Sequence, residues 1–151
     1  MPKLGHLPKE SWLRELARFA ISKPSQLREK SEQWFRDTQC LHDHQRWSAV
    51  VYLGGFVIEC LLKCALWPRR TERRVIRLLW RSHDLYDLLD ACPETRTELN
   101  KPPFDAVRSS FDFLANWAVR IRHNPKRLSQ EEGLEFWRRL KEVRTWLRGR
   151  A

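Results

Sequence analysis

Apolar residues recur along most of the chain at steps of three and four, the spacing of one face of an α-helix. A first helix is predicted from Lys9 to Ile21, before the break at Pro24, and its apolar face consists of Trp12, Leu13, Leu16 and Ala20. A second helix is predicted to start near Ser25, with Pro24 at or near its cap. Its stripe consists of Leu27, Trp34 and Leu41, with Ser31 and Thr38 in the intervening turns.

The segment from Trp47 to Ala65 is the most apolar in the chain. Its β-branched residues and the pair Gly54-Gly55 are also compatible with two short strands, but the apolar stripe continues past the glycines, which favours one buried helix. The two small residues would let another helix approach closely. Glu59 and Lys63 are four residues apart in the order that favours an ion pair, and we expect them on the less apolar side of this helix.

Three more helices complete the pattern. A short one is predicted over His83–Leu89, capped near Ser82 or Asp84. The next has a regular apolar seam, and it should stop near Arg122 to Asn124 because Pro125 disfavours helical geometry at the preceding residue. The seam consists of Phe104, Val107, Phe111, Leu114, Ala118 and Ile121. The last helix opens with a capping box at Ser129 and directs Leu134, Trp137, Leu140, Val143 and Leu147 inward.

The sequence therefore predicts an all-α fold, an antiparallel up-and-down helical bundle with extra short helices. Residues 1–24 would form an N-terminal helical extension, and residues 25–148 would form the domain. The length of 151 residues fits one compact domain.

The composition points to an anionic partner. The chain has 29 Lys+Arg against 19 Asp+Glu, a formal net charge of +10, and residues 101–151 hold 12 of the basic residues against 6 acidic ones. A hydrophobic content of 42%, with 8 Trp and 7 Phe, argues against a disordered basic tail. The charge disfavours a carrier of neutral small molecules and favours a nucleic acid, a nucleotide or an acidic protein as partner.

Targeting signals are absent from the sequence. The first ten residues contain no apolar core of a secretory signal, and no stretch reaches the roughly 18 uninterrupted apolar residues of a membrane span. The four cysteines do not resemble a disulfide framework, so buried free thiols are expected. These observations predict a cytoplasmic protein without a membrane partner.

Familiar catalytic and metal motifs are also absent. The chain has no Gly-rich phosphate loop, no Gly-x-Ser-x-Gly elbow, no His-Glu-x-x-His and no paired Cys-x-x-Cys. Cys40, His42 and His44 could present metal ligands from an extended chain, but on a helix they would splay around the axis. Capping and a solvated helix face explain the spacing of Asp84, Asp87 and Asp90. We therefore predict no metal and no cofactor.

A run of six arginines and one glutamate spans Arg69 to Arg81. If the run is helical, one side carries Arg70, Arg73, Arg77 and Arg81, while Val75, Leu78 and Leu79 face the core. The arginines are then either a solvated amphipathic face or a stripe that follows nucleic-acid phosphates.

The segment from Trp117 to Pro125 places Arg120, Arg122, His123 and Asn124 at the predicted end of a helix. One interpretation is that these side chains cap the last carbonyls and complement the helix dipole. The other is that His123 acts as a general acid or base while an arginine stabilises a phosphorane-like transition state.

Three segments resemble motifs of the HEPN domain family, in the family's order and over roughly positions 25 to 148. Tyr52–Leu66 resembles the second-helix signature, in which a small-residue apolar helix runs into Glu-Cys-x-Leu-Lys. His83–Leu89 resembles the His-x-Leu-x-x-Leu-Leu element that follows. Trp117-x4-Arg122-His123-x-Pro125 resembles the Trp-x4-Arg-Tyr-x-Pro end of the penultimate helix in one branch, with His123 in the Tyr position.

The resemblance implies a HEPN-like bundle that dimerises. Many HEPN proteins are metal-independent endoribonucleases, which serve as toxins beside nucleotidyltransferase-type antitoxins or act in phage defence. Others are catalytically inactive and bind RNA, nucleotides or larger effector proteins.

Catalytic members carry an Arg, then four to six residues, then a His near the last helix junction, and this chain has no such pair there. Arg36…His42 and Arg77…His83 have a matching spacing but lie in other elements.

Two functional hypotheses follow. In the first, the chain is a metal-independent endoribonuclease: Arg122 polarises the phosphate, His123 moves the proton, and Asn124, Glu59 and Arg120 support them. RNA would be held by Arg70, Arg73, Arg77, Arg81, Lys126 and Arg127. In the second, the chain is a non-catalytic accessory module that binds RNA, a nucleotide or a larger effector. An adaptor for an acidic protein is a third, less favoured interpretation.

Overall fold

The computed structural model describes residues 8–151, and the side chains from residue 12 onward. The regular elements of this part of the chain are all helical, which confirms the all-α prediction. The α-helices are α1 (Pro8–Arg18), α2 (Pro24–Asp43), α3 (Trp47–Leu66), α4 (Arg73–Arg81), α5 (Leu85–Asp90), α6 (Pro93–Leu99), α7 (Asp105–Leu114) and α8 (Gln130–Arg148). Single 3-10 turns cover Trp67–Arg69, Pro102–Phe104 and Val119–His123.

Helix α3 is the centre of the bundle. It packs against α2 on one side and α8 on the other, α5 also contacts it, and α7 lies against α8. The connection from α2 to α3 is only three residues long, which makes the two helices antiparallel neighbours. Gln45 in this connection has a φ of 56°. The most buried side chains of α3 are Val50, Val57, Ile58, Leu62 and Leu66.

Small residues allow this close packing, as the sequence predicted. A Cβ atom on Gly54 would lie 2.5 Å from Cε1 of Phe136 in α8. A Cβ atom on Gly55 would overlap the indole of Trp117, and one on Gly133 would overlap the indole of Trp47. The three glycines are therefore required because aromatic rings occupy the space that a methyl group would need.

Two predicted helix starts are confirmed in detail. The backbone N–H of Glu132 donates to Oγ of Ser129 at 3.1 Å, and the N–H of Ser129 donates to Oε2 of Glu132 at 2.8 Å. At α5, the N–H of Asp87 donates to Oδ1 of Asp84 at 2.9 Å. Both side chains take up backbone donors that the first helical turn leaves unpaired.

The predicted long helix from Phe104 to Ile121 is wrong. Helix α7 ends at Leu114, and Ala118 is extended, with φ −145° and ψ 149°. The amide of Asn116 donates to the carbonyls of Asp112 and Phe113, and Trp117 turns inward and donates from Nε1 to the carbonyl of Tyr52 at 3.2 Å. Arg120, Arg122 and His123 therefore lie on a 3-10 turn, and Asn124 follows it, so none of them is at an α-helix end.

Three smaller differences remain. Leu134 was expected to face inward from the last helix but is 41% exposed. Helix α6 was not expected, because Leu99 is the only large apolar residue in its seven positions. Helix α1 is shorter than expected and ends at Arg18. Its apolar face does not enter the core, since Trp12, Leu13 and Leu16 are each more than half exposed.

The segment Trp47–Arg69 is long and apolar enough, by length and composition alone, to cross a membrane. However, 61% of the apolar 18-residue stretch within this segment is buried inside the bundle, as in the core helix of a soluble protein. The segment is therefore only weak evidence for a membrane span.

The packing of Trp117 on α3 can be tested with Gly55→Ala. We expect this change to lower the free energy of unfolding by about 1–3 kcal/mol, because the new methyl group overpacks the indole. Gly149→Ala is the control, since a Cβ there meets only the carbonyl oxygen of Trp146, at 3.7 Å. Urea unfolding followed by circular dichroism measures both variants, and equal stabilities would contradict the packing described.

Candidate nucleic-acid interface

Helix α4 presents an exposed basic face that carries an aromatic ring. Val75 and Leu79 are buried as predicted, and Leu78 is half-buried. Trp80 is 51% exposed, and Ile76 beside it is also exposed. The exposed guanidinium groups that surround these two residues are those of Arg73, Arg74, Arg77 and Arg81. The helix therefore combines cations one turn apart with an open indole face.

The arginines of this face form no ion pair with a carboxylate among the described residues. Within the described residues, no carboxylate forms an ion pair with Arg73, Arg77 or Arg81, whereas Arg69 just before the helix is bound by Glu94 at 2.8 Å. Arg70 lies outside α4, in the turn before it. Its Nη1 donates to the carbonyl of Trp67 at 3.2 Å, and its guanidinium stacks over the ring of Trp67. Three of the four predicted stripe residues thus share the α4 face, and Arg70 is held apart.

The turn between α7 and α8 is a second exposed basic segment. Nε of Arg122 donates to Nε2 of His123 at 3.1 Å, and both side chains are exposed. Oδ1 of Asn124 accepts a hydrogen bond from the backbone N–H of Lys126 at 3.0 Å. Nζ of Lys126 forms an ion pair with Oε1 of Glu132 at 2.8 Å. Arg120 and Arg127 are exposed as well.

This turn forms one wall of a cavity of about 370 Å³ over the start of α3. Helix α3 contributes Ser48 and Tyr52, and the turn contributes Arg122, Asn124 and Lys126. The structure thus brings three of the predicted site residues together around one opening. The side chain of His123 is not part of the cavity wall, although it bonds to Arg122, which is.

Glu59 and Lys63 are buried, which corrects the prediction that they lie on a less apolar side. Glu59 is 5% exposed and Lys63 is 7% exposed. Nζ of Lys63 lies 2.7 Å from Oε1 of Glu59, and Nδ1 of His83 lies 2.9 Å from Oε2. Both oxygens of Glu59 are thus bound by Lys63 and His83, so its carboxylate is not directed at Arg122 or His123 as expected. The reason is that the loop before α5 closes over this part of α3.

The buried pair lines a second opening, a groove of about 520 Å³ between α2, α3 and α4. Its walls include Glu59, Cys60 and Lys63 from α3, together with Lys30 and Trp80. Burial, assisted by the charge of Glu59, raises the pKa of the Cys60 thiol to about 12. Cys60 is therefore protonated at neutral pH and is not a nucleophile of this groove.

Phe56 lies on α3 between Tyr52 and Glu59. Its ring packs edge-to-face with those of Tyr52, Trp117 and His83, at centroid distances of 5.4, 5.0 and 6.2 Å. Tyr52 and Glu59 are seven residues apart, which corresponds to roughly 10 Å along a helix axis. The two openings are thus neighbours separated by an aromatic wall. The sequence analysis noted His83 in the motif His83–Leu89 and in the spacing Arg77…His83, but it did not predict His83 as a site residue.

The proposed alternative metal ligands have other partners. His42 pairs with Asp43 at 3.0 Å and stacks on Trp137, while Nδ1 of His44 lies 2.8 Å from the carbonyl of Cys40 at the end of α2. Within the part of the chain that the structure describes, no group of three or more His, Cys, Asp or Glu side chains could hold a metal ion. The four cysteines are free thiols.

Comparisons of the chain with protein-family models, with curated proteins and with solved structures gave no significant match. The functional proposals below therefore depend on the geometry of these sites and on the residues that form them.

The buried pair Glu59–Lys63 should be strongly coupled. In a double-mutant cycle with Glu59→Gln and Lys63→Met, we expect a coupling free energy of about 2 kcal/mol, because removing one partner leaves a charge buried without it. Glu135 and Arg139 form a more exposed pair at the same i,i+4 spacing, and their coupling should be about 0.3–0.5 kcal/mol. Urea unfolding of the unmodified protein and the six variants measures both values. Similar coupling in the two cycles would show that burial adds nothing to the Glu59 pair.

Proposed function

We propose that the protein is a HEPN-like helical domain that binds single-stranded RNA. The observation that supports this proposal is the α4 face, where the exposed indole of Trp80 lies among the guanidinium groups of Arg73, Arg77 and Arg81, which have no ion-pair partner in the part of the chain that the structure describes. Proteins that bind single strands combine cations that contact the backbone with aromatic rings on which bases stack.

The basic turn would extend this surface. Arg120, Arg122 and Arg127 are exposed there, and Lys126 retains one ion pair with Glu132. The choice of RNA over DNA comes from the resemblance to HEPN domains. The same resemblance supports a cytoplasmic homodimer, with a nucleotidyltransferase-type antitoxin or a larger effector as partner, in a toxin–antitoxin or phage-defence system.

The α4 face predicts a specific salt dependence. For a fluorescently labelled 16-nucleotide RNA, the variant Arg73→Ala/Arg77→Ala/Arg81→Ala should bind more weakly. Its slope of log affinity against log salt concentration should be smaller by about 2, because each lost phosphate contact removes roughly 0.7. Trp80→Ala should weaken binding by about 1–3 kcal/mol without changing the slope. Fluorescence anisotropy at several KCl concentrations measures both effects.

Arg138→Ala is the control for this experiment, since Arg138 is exposed on α8 and lies 3.9 Å from Glu142. Its affinity and slope should match the unmodified protein. An unmodified protein that does not bind the RNA, or a triple variant with an unchanged slope, would contradict the proposed interface.

A second candidate function is metal-independent endoribonuclease activity at Arg122 and His123. The hydrogen bond between them at the rim of the 370 Å³ cavity favours it, because a guanidinium and an imidazole would meet one phosphate there. Arg122 would polarise the phosphate and His123 would transfer the proton, with Asn124 and Arg120 in support. The absence of the Arg-x4–6-His spacing at the last helix junction favours the non-catalytic accessory module instead.

A cleavage assay separates these two activities. If Arg122 and His123 cleave RNA, cleavage should persist in EDTA, and Arg122→Ala/His123→Ala should reduce the rate by at least about 100-fold. Gel analysis of structured and unstructured RNA measures the rates, with Arg138→Ala as the control. RNA that is bound but never cut would establish the accessory module.

A further inference from the structure

We propose that the cavity between the start of α3 and the α7–α8 turn binds a small carboxylic acid with an apolar body. Arg122 would hold the carboxylate, while Val51 and Ile121 would contact the apolar body. This cavity is separate from the α4 face, so binding there does not require RNA binding by α4.

The size and the walls of the cavity suit a small molecule. Its volume of about 370 Å³ lies within the range of roughly 300–1,000 Å³ that is typical of ligand pockets. At about 30 Å³ for each water molecule in the liquid, it has room for a ligand of about twelve non-hydrogen atoms. Ala49, Val51, Ile121 and Leu128 form apolar walls. A ligand with an apolar body therefore gains contacts that water in the same space does not make.

The polar side chains of the lining mainly offer hydrogen-bond donors. Arg122 uses Nε in a hydrogen bond within the turn, and its two Nη groups have no partner among the described residues. Oδ1 of Asn124 already accepts the backbone N–H of Lys126, while Nδ2 has no partner in the described part of the chain. Ser48 and Tyr52 add hydroxyl groups. A ligand that matches this lining therefore carries acceptor oxygens.

The charge around the cavity matches a monoanion. Among the described residues, no acidic side chain lines the cavity, whereas Arg122 and Lys126 do. Lys126 is paired with Glu132 at 2.8 Å, and its hydrogen bond lowers the pKa of the Glu132 carboxyl, which is therefore ionised at neutral pH. The charges of this pair cancel, so Arg122 supplies the surplus positive charge. One carboxylate balances it, while a phosphate dianion would leave a negative charge in excess.

The first turn of α3 adds to this positive end of the cavity. Ser48 and Ala49 line the cavity, and their backbone N–H groups have no acceptor among the described residues. Arg46, at the N-cap, supplies no side-chain acceptor to the first turn. Unpaired N–H groups at the start of a helix carry a partial positive charge. They strengthen the attraction for a carboxylate that Arg122 already provides.

Hydrogen bonds hold the cavity open without a ligand. The N–H of Ile121 donates to the carbonyl of Ala118, and the N–H of Asn124 donates to the carbonyl of Ile121, both at 3.0 Å. Nε1 of Trp117 ties this turn to α3 through the carbonyl of Tyr52, at 3.2 Å. A preformed site loses little conformational entropy when it binds a ligand.

The larger groove between α2, α3 and α4 is less suited to an anion. Its lining includes the carboxylates of Glu29 and Glu59 beside Lys30 and Lys63. Lys63 is already paired with Glu59 at 2.7 Å. These acidic side chains would repel a carboxylate, so the acid should select the smaller cavity.

Isothermal titration calorimetry of the full chain tests this site. The probes are 4-phenylbutyrate and decanoate, an aromatic and an aliphatic carboxylate of the required size, and we expect at least one of them to bind. Its neutral alcohol analogue should bind at least about tenfold more weakly. Arg122→Gln should weaken the acid by at least about tenfold and leave the alcohol within about twofold. Arg138→Gln is the matched control, because Arg138 is exposed on α8 and does not line the cavity.

Two further variants change the volume and the charge of the site separately. Ala49→Leu fills the cavity and should weaken acid and alcohol alike by at least about tenfold. Glu132→Gln keeps a residue that the capping box accepts and removes the charge that competes for Lys126. The acid should then bind roughly threefold more tightly, with the alcohol unchanged. Thermal unfolding shows whether each variant is folded, and the exposed position of Arg122 keeps Arg122→Gln decisive if Ala49→Leu is not.

Three results would overturn the site. They are no binding of either acid, an alcohol that binds as tightly as its acid, and acid binding that Arg122→Gln and Ala49→Leu both leave unchanged, which would place the acid elsewhere. Adenosine monophosphate that binds more tightly than both acids, and that Arg122→Gln releases, would identify a phosphate site instead. These measurements use neither RNA nor an α4 variant, so their failure leaves RNA binding by α4 untouched.

Discussion

The contact between Trp117 and Gly55 connects the core of the bundle to the basic turn between α7 and α8. The indole lies against the backbone of α3 and donates to the carbonyl of Tyr52. To reach this position the chain must leave the helical path after Leu114, and it becomes extended at Ala118. The following residues then fold as a 3-10 turn over the start of α3, where Arg122 lines a cavity. Removing the space at Gly55 would therefore disturb the turn as well as the core.

The ring contacts of Trp117 also extend to His83. Trp117 packs edge-to-face with Phe56, Phe56 packs edge-to-face with His83, and His83 is held by Glu59. Hydrogen bonding and ring packing thus restrain one histidine from two directions, and both restraints originate on α3. Because α3 packs against α2 and α8, its side chains are among the least able to move in the molecule. A group tied to this helix is held more firmly than one on an exposed turn.

The sequence predicted most of the helices but not how the sites are assembled. Periodicity and caps predicted α2, α3, α5 and α8, because those signals are local. The end of α7 was missed, since Ala118 and Ile121 continue the period while the deciding contact joins Trp117 to Gly55, far away in the chain. The burial of Glu59 was missed for a similar reason. Its i,i+4 spacing to Lys63 indicates an ion pair but not the loop that brings His83 over it.

The attraction of a surface for phosphate depends on which of its cations have no ion-pair partner. The sequence placed most of the net charge in residues 101–151, yet many basic groups there are neutralised. Arg144 and Arg148 share Glu32, and Lys126, Arg138 and Arg139 each have an acidic neighbour. Such surface pairs add little stability, but they cancel the local field that an approaching phosphate would experience. On α4, the guanidinium groups of Arg73, Arg77 and Arg81 have no such partner among the described residues. The attraction for a nucleic-acid backbone should therefore be concentrated at α4, beside Trp80, and at the turn that carries Arg120, Arg122 and Arg127, rather than spread over all of residues 101–151.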